Sequence, residues 1–261
     1  MKTNTPLMIK AFAMSWMLAL TACGGGGDSG TAAVSDATAQ GLWNGSGSAS
    51  TSTSTSRSVT GIVLDDGTYW LLFSDPNVSG LIVGFIQGTG TSLNGSFSSS
   101  DAIDFNVSAQ GINSAAVSAS YLTKQSFNGS VSYPSLNAPL TFTSSYNADY
   151  EQTPNLTIVA GDYLGIASVA NLNEVVTFII STQGVVAGTG ATSGCQYGGL
   201  VKPRTTGNVY DVSLLIGGTA CATGTNTVTG IGYFDAGPKR LYLAALNTSR
   251  TFGMSFTGIK P

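Results

Sequence analysis

Beyond Gln40 no window of ten or more residues repeats its apolar positions every 3.6 residues in helix-forming composition, whereas alternation with period two recurs throughout. That period is the strongest constraint on the chain, because it suits strands with one buried and one wet face. Ile103-Asp104-Phe105-Asn106-Val107 and Tyr210-Asp211-Val212-Ser213-Leu214 carry it most plainly. Read this way, alternation sends Asp104 and Asp211 outward. Asp66-Gly67, Asn94-Gly95, Asn128-Gly129 and Gly207-Asn208 are dipeptides that supply positive φ in tight connections, and they recur often enough to suggest a meander, barrel or sandwich. The fold class expected is all-β and antiparallel. In the C-terminal half eight strands are expected, near 161–168, 174–181, 184–190, 195–202, 207–217, 226–235, 239–247 and 250–258, enough for a small up-and-down barrel.

The first 22 residues read differently. Lys2 and Lys10 precede an uncharged apolar run from Ala11 to Ala22, which as a helix reaches only about 18 Å against the roughly 30 Å of a hydrocarbon core. It is a signal segment rather than a span. Leu20-Thr21-Ala22-Cys23 resembles the lipobox of bacterial lipoproteins. That resemblance implies cleavage before Cys23, lipid attachment on its thiol, acylation of the new amino terminus, and anchoring to a membrane. Gly24, where such proteins held in the inner membrane usually carry Asp, points to the outer membrane. Residues 23–40 then form a tether of Gly, Ala, Ser and Thr.

Three blocks repeat at an offset near 100: Gly84–Thr91 with Gly184–Ala191, Phe127-Asn128-Gly129 with Val228-Thr229-Gly230, and Leu140–Asn147 with Leu241–Asn247. They divide the remainder into two related modules, 41–152 and 153–261, each expected to be a barrel of about eight strands. Gly41-Leu42-Trp43 is similar to the Gly-x-Trp that opens lipocalins, and the second module has Gly161-Asp162-Tyr163. In layout the chain resembles the paired-barrel surface lipoproteins that include transferrin-binding protein B, with no residue motif carried over. A transmembrane barrel is the competing reading of the alternation. The short strands and the Gly258-Ile259-Lys260-Pro261 terminus weigh against it.

Function is constrained mostly by exclusion. The chain has no histidine, which removes Ser-His-Asp catalysis and histidine metal ligation. Once Cys23 is lipidated, Cys195 and Cys221 remain, and in an exported protein such a pair is expected to form a disulfide. At the repeat offset the first module has Gly95 and about Tyr121 in their places, so only the second is expected to be stapled. Residues 23–152 carry nine acidic and two basic side chains, and residues 153–261 four and six. A meander puts the connections holding Lys202, Arg204, Lys239 and Arg240 at one end, opposite the cysteines, as a site for an anionic glycolipid, glycan or protein partner. A net charge of −3 without a basic stripe argues against nucleic acid. No catalytic residue, metal or cofactor is expected. The function expected is therefore non-catalytic binding or envelope structure, with a carrier of a small apolar ligand as the alternative and a glycan hydrolase behind it.

Overall fold

A computed structural model describes residues 38–49, 56–107, 111–135, 139–169, 172–221 and 223–261; the signal segment, Cys23 and most of the tether lie outside them. The first barrel runs through β1 (Gly41–Ala49), β2 (Arg57–Val63), β3 (Thr68–Ser74), β4 (Ile82–Thr89), β5 (Thr91–Leu93), β6 (Ser96–Asn106), β7 (Gly111–Leu122), β8 (Ser126–Ser132) and β9 (Leu140–Tyr146). β5 continues β4 past Gly90, where an added Cβ would fall 2.0 Å from the Phe97 ring. The two pieces act as one strand against β6, and β9 returns to β1 with Trp43 opposite Tyr146. A 3₁₀ turn (Ala148–Glu151) and a one-turn helix α1 (Leu156–Val159) lead into the second barrel. Its strands are β10 (Gly161–Val169), β11 (Leu172–Ile180), β12 (Val185–Gly190), β13 (Gln196–Pro203), β14 (Tyr210–Gly217), β15 (Asn226–Asp235), β16 (Arg240–Leu246) and β17 (Gly253–Ile259), closed by β17 on β10. The protein is thus two closed, antiparallel, eight-strand barrels.

Strand-forming side chains and turn chemistry explain most of this locally. Asn94 and Gly95 adopt φ of 50° and 80°, as a two-residue hairpin turn between β5 and β6 requires. Asp66 accepts a hydrogen bond from the Thr68 amide at 2.9 Å and closes the β2–β3 turn. Asn128-Gly129 does not turn. It lies inside β8, where the Asn128 side chain accepts from the Ser144 amide at 2.9 Å and Gly129 faces β7 too closely for any Cβ.

Each barrel has its own interior, and a third apolar cluster lies between their outer walls. The seam joins Leu42, Ile62, Trp70, Leu72, Phe85 and Phe105 of the first barrel to Ile231, Tyr233, Tyr242, Ala244 and Leu246 of the second. Gly253 lets the ring of Phe105 approach, since a Cβ there would lie 2.6 Å from it. Polar contacts fix the register: Thr257 Oγ1 accepts from the Ile82 amide at 3.0 Å, and Arg250 Nη2 donates to Gln87 O at 2.7 Å. Both barrels accordingly belong to one compact unit, Ser35–Pro261. Strands at the seam are buried on both faces. That is why β3 and β16 read as nearly continuous apolar runs, TYWLLF and LYLAAL.

The seam also overturns the reading of Asp104. The β6–β7 register shifts between Ser99 and Ala102. Before the irregularity Phe97 points inward; after it Ala102 and Asp104 do, while Phe105 packs in the seam. Apolar-in and polar-out is reversed because the outside of β6 is covered by another barrel. Asp211, by contrast, is outward and exposed as expected.

The repeat at offset 100 is a slip of one strand. Its blocks fall on the fourth, seventh and eighth strands of the first barrel but on the third, sixth and seventh of the second. Hairpins of similar length and Gly-rich text make neighbouring strands resemble one another, so a one-strand slip still matches. It also reverses direction, which puts Gly95 and Tyr121 at the opposite end from the position corresponding to the cysteines. In true order Gly41-Leu42-Trp43 and Gly161-Asp162-Tyr163 open their barrels alike. Trp43 Nε1 donates to Ala39 O at 2.9 Å, and the Tyr163 hydroxyl donates to Val159 O, each four residues back.

A candidate binding cavity in the first barrel

The first barrel is closed where the chain enters. Trp43, Tyr69, Phe97 and Phe127 are essentially fully buried there, with ring centroids 5.3–5.6 Å apart in successive contacts. At the far end, where β1 finishes, the interior opens into a cavity of about 500 Å³. Its wall combines the buried apolar Leu71, Ile86, Val131 and Phe142 with the half-buried Arg57, Asn106 and Asn113. Gly47 turns toward this space from β1 and adds no side chain to it.

Asp104 stands in the wall with 7% of its surface exposed. Its Oδ2 accepts from the Tyr133 hydroxyl at 2.7 Å, and its Oδ1, also buried, has no partner. A buried acceptor left unpaired carries its full desolvation cost. Burial pushes the carboxyl up to about 6, against the lowering effects of the Tyr133 hydrogen bond and the Arg57 charge. The Tyr133 phenol is pushed up by burial and by the adjacent carboxylate. Arg57, at the start of β2, lies 5.8 Å over the Phe73 ring and donates to Ser74 O at 3.3 Å. It has no carboxylate partner among the described ion pairs. Arg57, Tyr133 and the inward Asp104 were not legible as a set, because the register shift that turns Asp104 inward has no sequence signature.

The second barrel is filled at the corresponding end. Glu174 is 4% exposed there, and its carboxylate accepts from the Ser193 and Thr192 amides, the Ser193 hydroxyl and the Tyr197 hydroxyl, at 2.6 to 3.2 Å. Burial alone would raise this carboxyl; the hydrogen bonds outweigh it and hold it below its ordinary value. Cys195 and Cys221 are disulfide-bonded across the same end, with Cα atoms 4.2 Å apart.

The β13–β14 and β15–β16 connections share the other end of this barrel, but only Arg204 and Lys239 lie in them, while Lys202 is in β13 and Arg240 opens β16. The four side chains face different partners. Arg204 pairs with Asp211 at 2.7 Å and with Asp65 of the first barrel at 2.9 Å. Arg240 lies against Gly80 and donates to the Tyr242 hydroxyl at 3.4 Å. Lys239 donates to Pro261 O at 3.5 Å, and Lys202 is exposed, opposite Asp211 in the ladder.

No protein-family model matches the chain, and no curated protein matches it in sequence. Among solved structures it is similar to a protein of Bacteroides fragilis inferred to belong to the outer membrane, at 15% identity and a TM-score of 0.29, over 85% of this chain and 97% of that one. It is also similar to a mutant of the vaccine antigen transferrin binding protein B from Haemophilus parasuis, at 8% identity and a TM-score of 0.26, over 78% of this chain and 65% of that one. Superpositions this loose carry no argument about this protein.

Proposed function

We propose that the chain is a non-catalytic binding protein, anchored through Cys23 to the bacterial outer membrane, whose first barrel receives one small ligand through its open end. The address rests on the lipobox-like Leu20-Thr21-Ala22-Cys23 and on Gly24 after it. The binding role rests on one observation: a cavity of about 500 Å³ with buried apolar walls and an unsatisfied buried acceptor, Asp104 Oδ1. Ligand sites are commonly apolar clefts of this size with a few convergent polar groups. The described lining holds a single carboxylate, whereas glycoside hydrolysis ordinarily takes a pair, which weighs toward binding over catalysis. With Arg204 and Arg240 engaged as above, the four cations are not part of this reading.

The test uses para-fluorobenzyl alcohol, a neutral, water-soluble apolar probe, followed by fluorine NMR with the full chain in lipid nanodiscs. Saturable broadening is expected, and Val59→Trp, which fills the cavity from its wall, removes it. Equal broadening with both proteins would mean partition into lipid and end the cavity reading. Separately, Cys23→Ser is expected to abolish acylation and membrane retention; normal maturation of that variant would end the lipoprotein reading.

A further inference from the structure

We infer that the ligand of the first barrel is a zwitterion on an apolar body, its ammonium group held by the free oxygen of Asp104 and its carboxylate by Arg57. Free phenylalanine and leucine and their dipeptides are the simplest representatives. This deepens the cavity reading above and rests on it.

Charge and an apolar wall select the ligand. Arg57 and Asp104 line the same cavity, and the guanidinium is close enough to act on the Asp104 carboxyl, yet they form no ion pair. A guanidinium carries five N–H donors; the structure assigns one of the Arg57 donors to Ser74 O. Asp104 has one oxygen occupied by Tyr133 and one free. Among the described residues the site therefore presents one unsatisfied acceptor and one incompletely used cationic fork, with Leu71, Ile86, Val131 and Phe142 in the same wall. A simple cation would satisfy Asp104 but face Arg57, and a simple anion the reverse. A neutral alcohol would leave the fork unused. A zwitterion answers both charges and leaves the site neutral, with its apolar part against the apolar wall. Charge-assisted hydrogen bonds of this kind are about twice as strong as neutral ones.

Four fluorinated probes separate the possibilities on the full chain in nanodiscs: para-fluorophenylalanine, para-fluorophenethylamine, N-acetyl-para-fluorophenylalanine and para-fluorobenzyl alcohol. The zwitterion is expected to bind at least tenfold more tightly than each of the others. Asp104→Asn should remove its advantage over the N-acetyl compound, and Arg57→Met its advantage over the amine. Arg57 and Tyr133 are the charged and titratable groups that face Asp104, and zwitterion binding should fall as pH drops through about 6 and the carboxylate is lost. An amine that matches the zwitterion within twofold, or an Arg57→Met protein that keeps full discrimination, overturns the inference. Retention of the alcohol with no gain for the zwitterion sinks this inference alone, while failure of every probe sinks the cavity reading as well.

Discussion

The two barrels follow one strand order and end differently at corresponding places. In the second, Glu174 collects four hydrogen bonds, the disulfide ties two connections together, and Ile216, Met254 and Phe256 fill the interior beside them. In the first, Asp104 has one donor, no disulfide is present among the described residues, and the space beside it is open. Both carboxylates are buried. The difference lies in whether the surrounding chain satisfies them, and it shows that a meander barrel becomes a plug or a cup through the chemistry of one end rather than through topology.

Cutting the seam should cost the most, because both barrels share it. Phe85 is fully buried in the seam, stacked on Phe105 at 4.9 Å and 5.3 Å from Trp70. Phe85→Ala should cost about 3–5 kcal/mol, as large-to-small changes in a packed core do, measured by urea unfolding. Because the seam belongs to both barrels, tryptophan fluorescence of the chain from Cys23 onward, which reports on Trp43 and Trp70, should change together with hydrogen exchange in β10–β17. Two separate transitions in the unaltered protein would show that the barrels are independent and would limit the loss to the first.

Next in size is the staple. Replacing Cys195 and Cys221 together by Ser releases a closure over a separation of 26 residues and is expected to cost about 3 kcal/mol. Amide exchange should rise near residues 218–221 while the probe titration at the first barrel stays unchanged. Altered probe binding would mean that the two far ends are coupled through the seam.

The two buried carboxylates should shift stability by less, and in opposite directions. The folded Asp104 carboxyl, at about 6, lies above an unfolded value near 3.9. Its charged form therefore opposes folding above about pH 6, and stability contributed by this group rises as pH falls from 6 toward 4. Glu174 is held below its ordinary value, so its contribution is present above about pH 4.3 and is lost as pH falls through the folded value. At pH 7.5 Asp104→Asn should stabilise by about 1–2 kcal/mol, less than the shift alone implies because the Tyr133 bond weakens. Glu174→Gln should destabilise by a similar amount, since one of its accepting oxygens becomes a donor facing donors. Thermal melts of both variants at pH 5 and 7.5 check the pair; the same sign for both would remove the distinction between a satisfied and an unsatisfied carboxylate.

Much of the second barrel was legible. Its eight expected strands agree with β10–β17 to within about three residues at each boundary, because six of its seven connections are six residues or shorter and its alternation is regular over β11 and β14. The cysteine pairing followed from the even count and the meander. The first barrel was less legible where it mattered most. Alternation in β6 sends Asp104 outward, yet its apolar neighbours Ile103 and Phe105 are the ones that face the other barrel, and the inward turn of Asp104 depends on an irregularity in β6 that no residue type announces.

The all-β class, the up-and-down order and the disulfide partners follow from local period, turn chemistry and residue count. The shared seam, the inward Asp104 and the cavity among the described residues of the first barrel come from packing. Those depend on which face of each strand another element covers, and period two marks two faces of a strand without saying which of them is the inside.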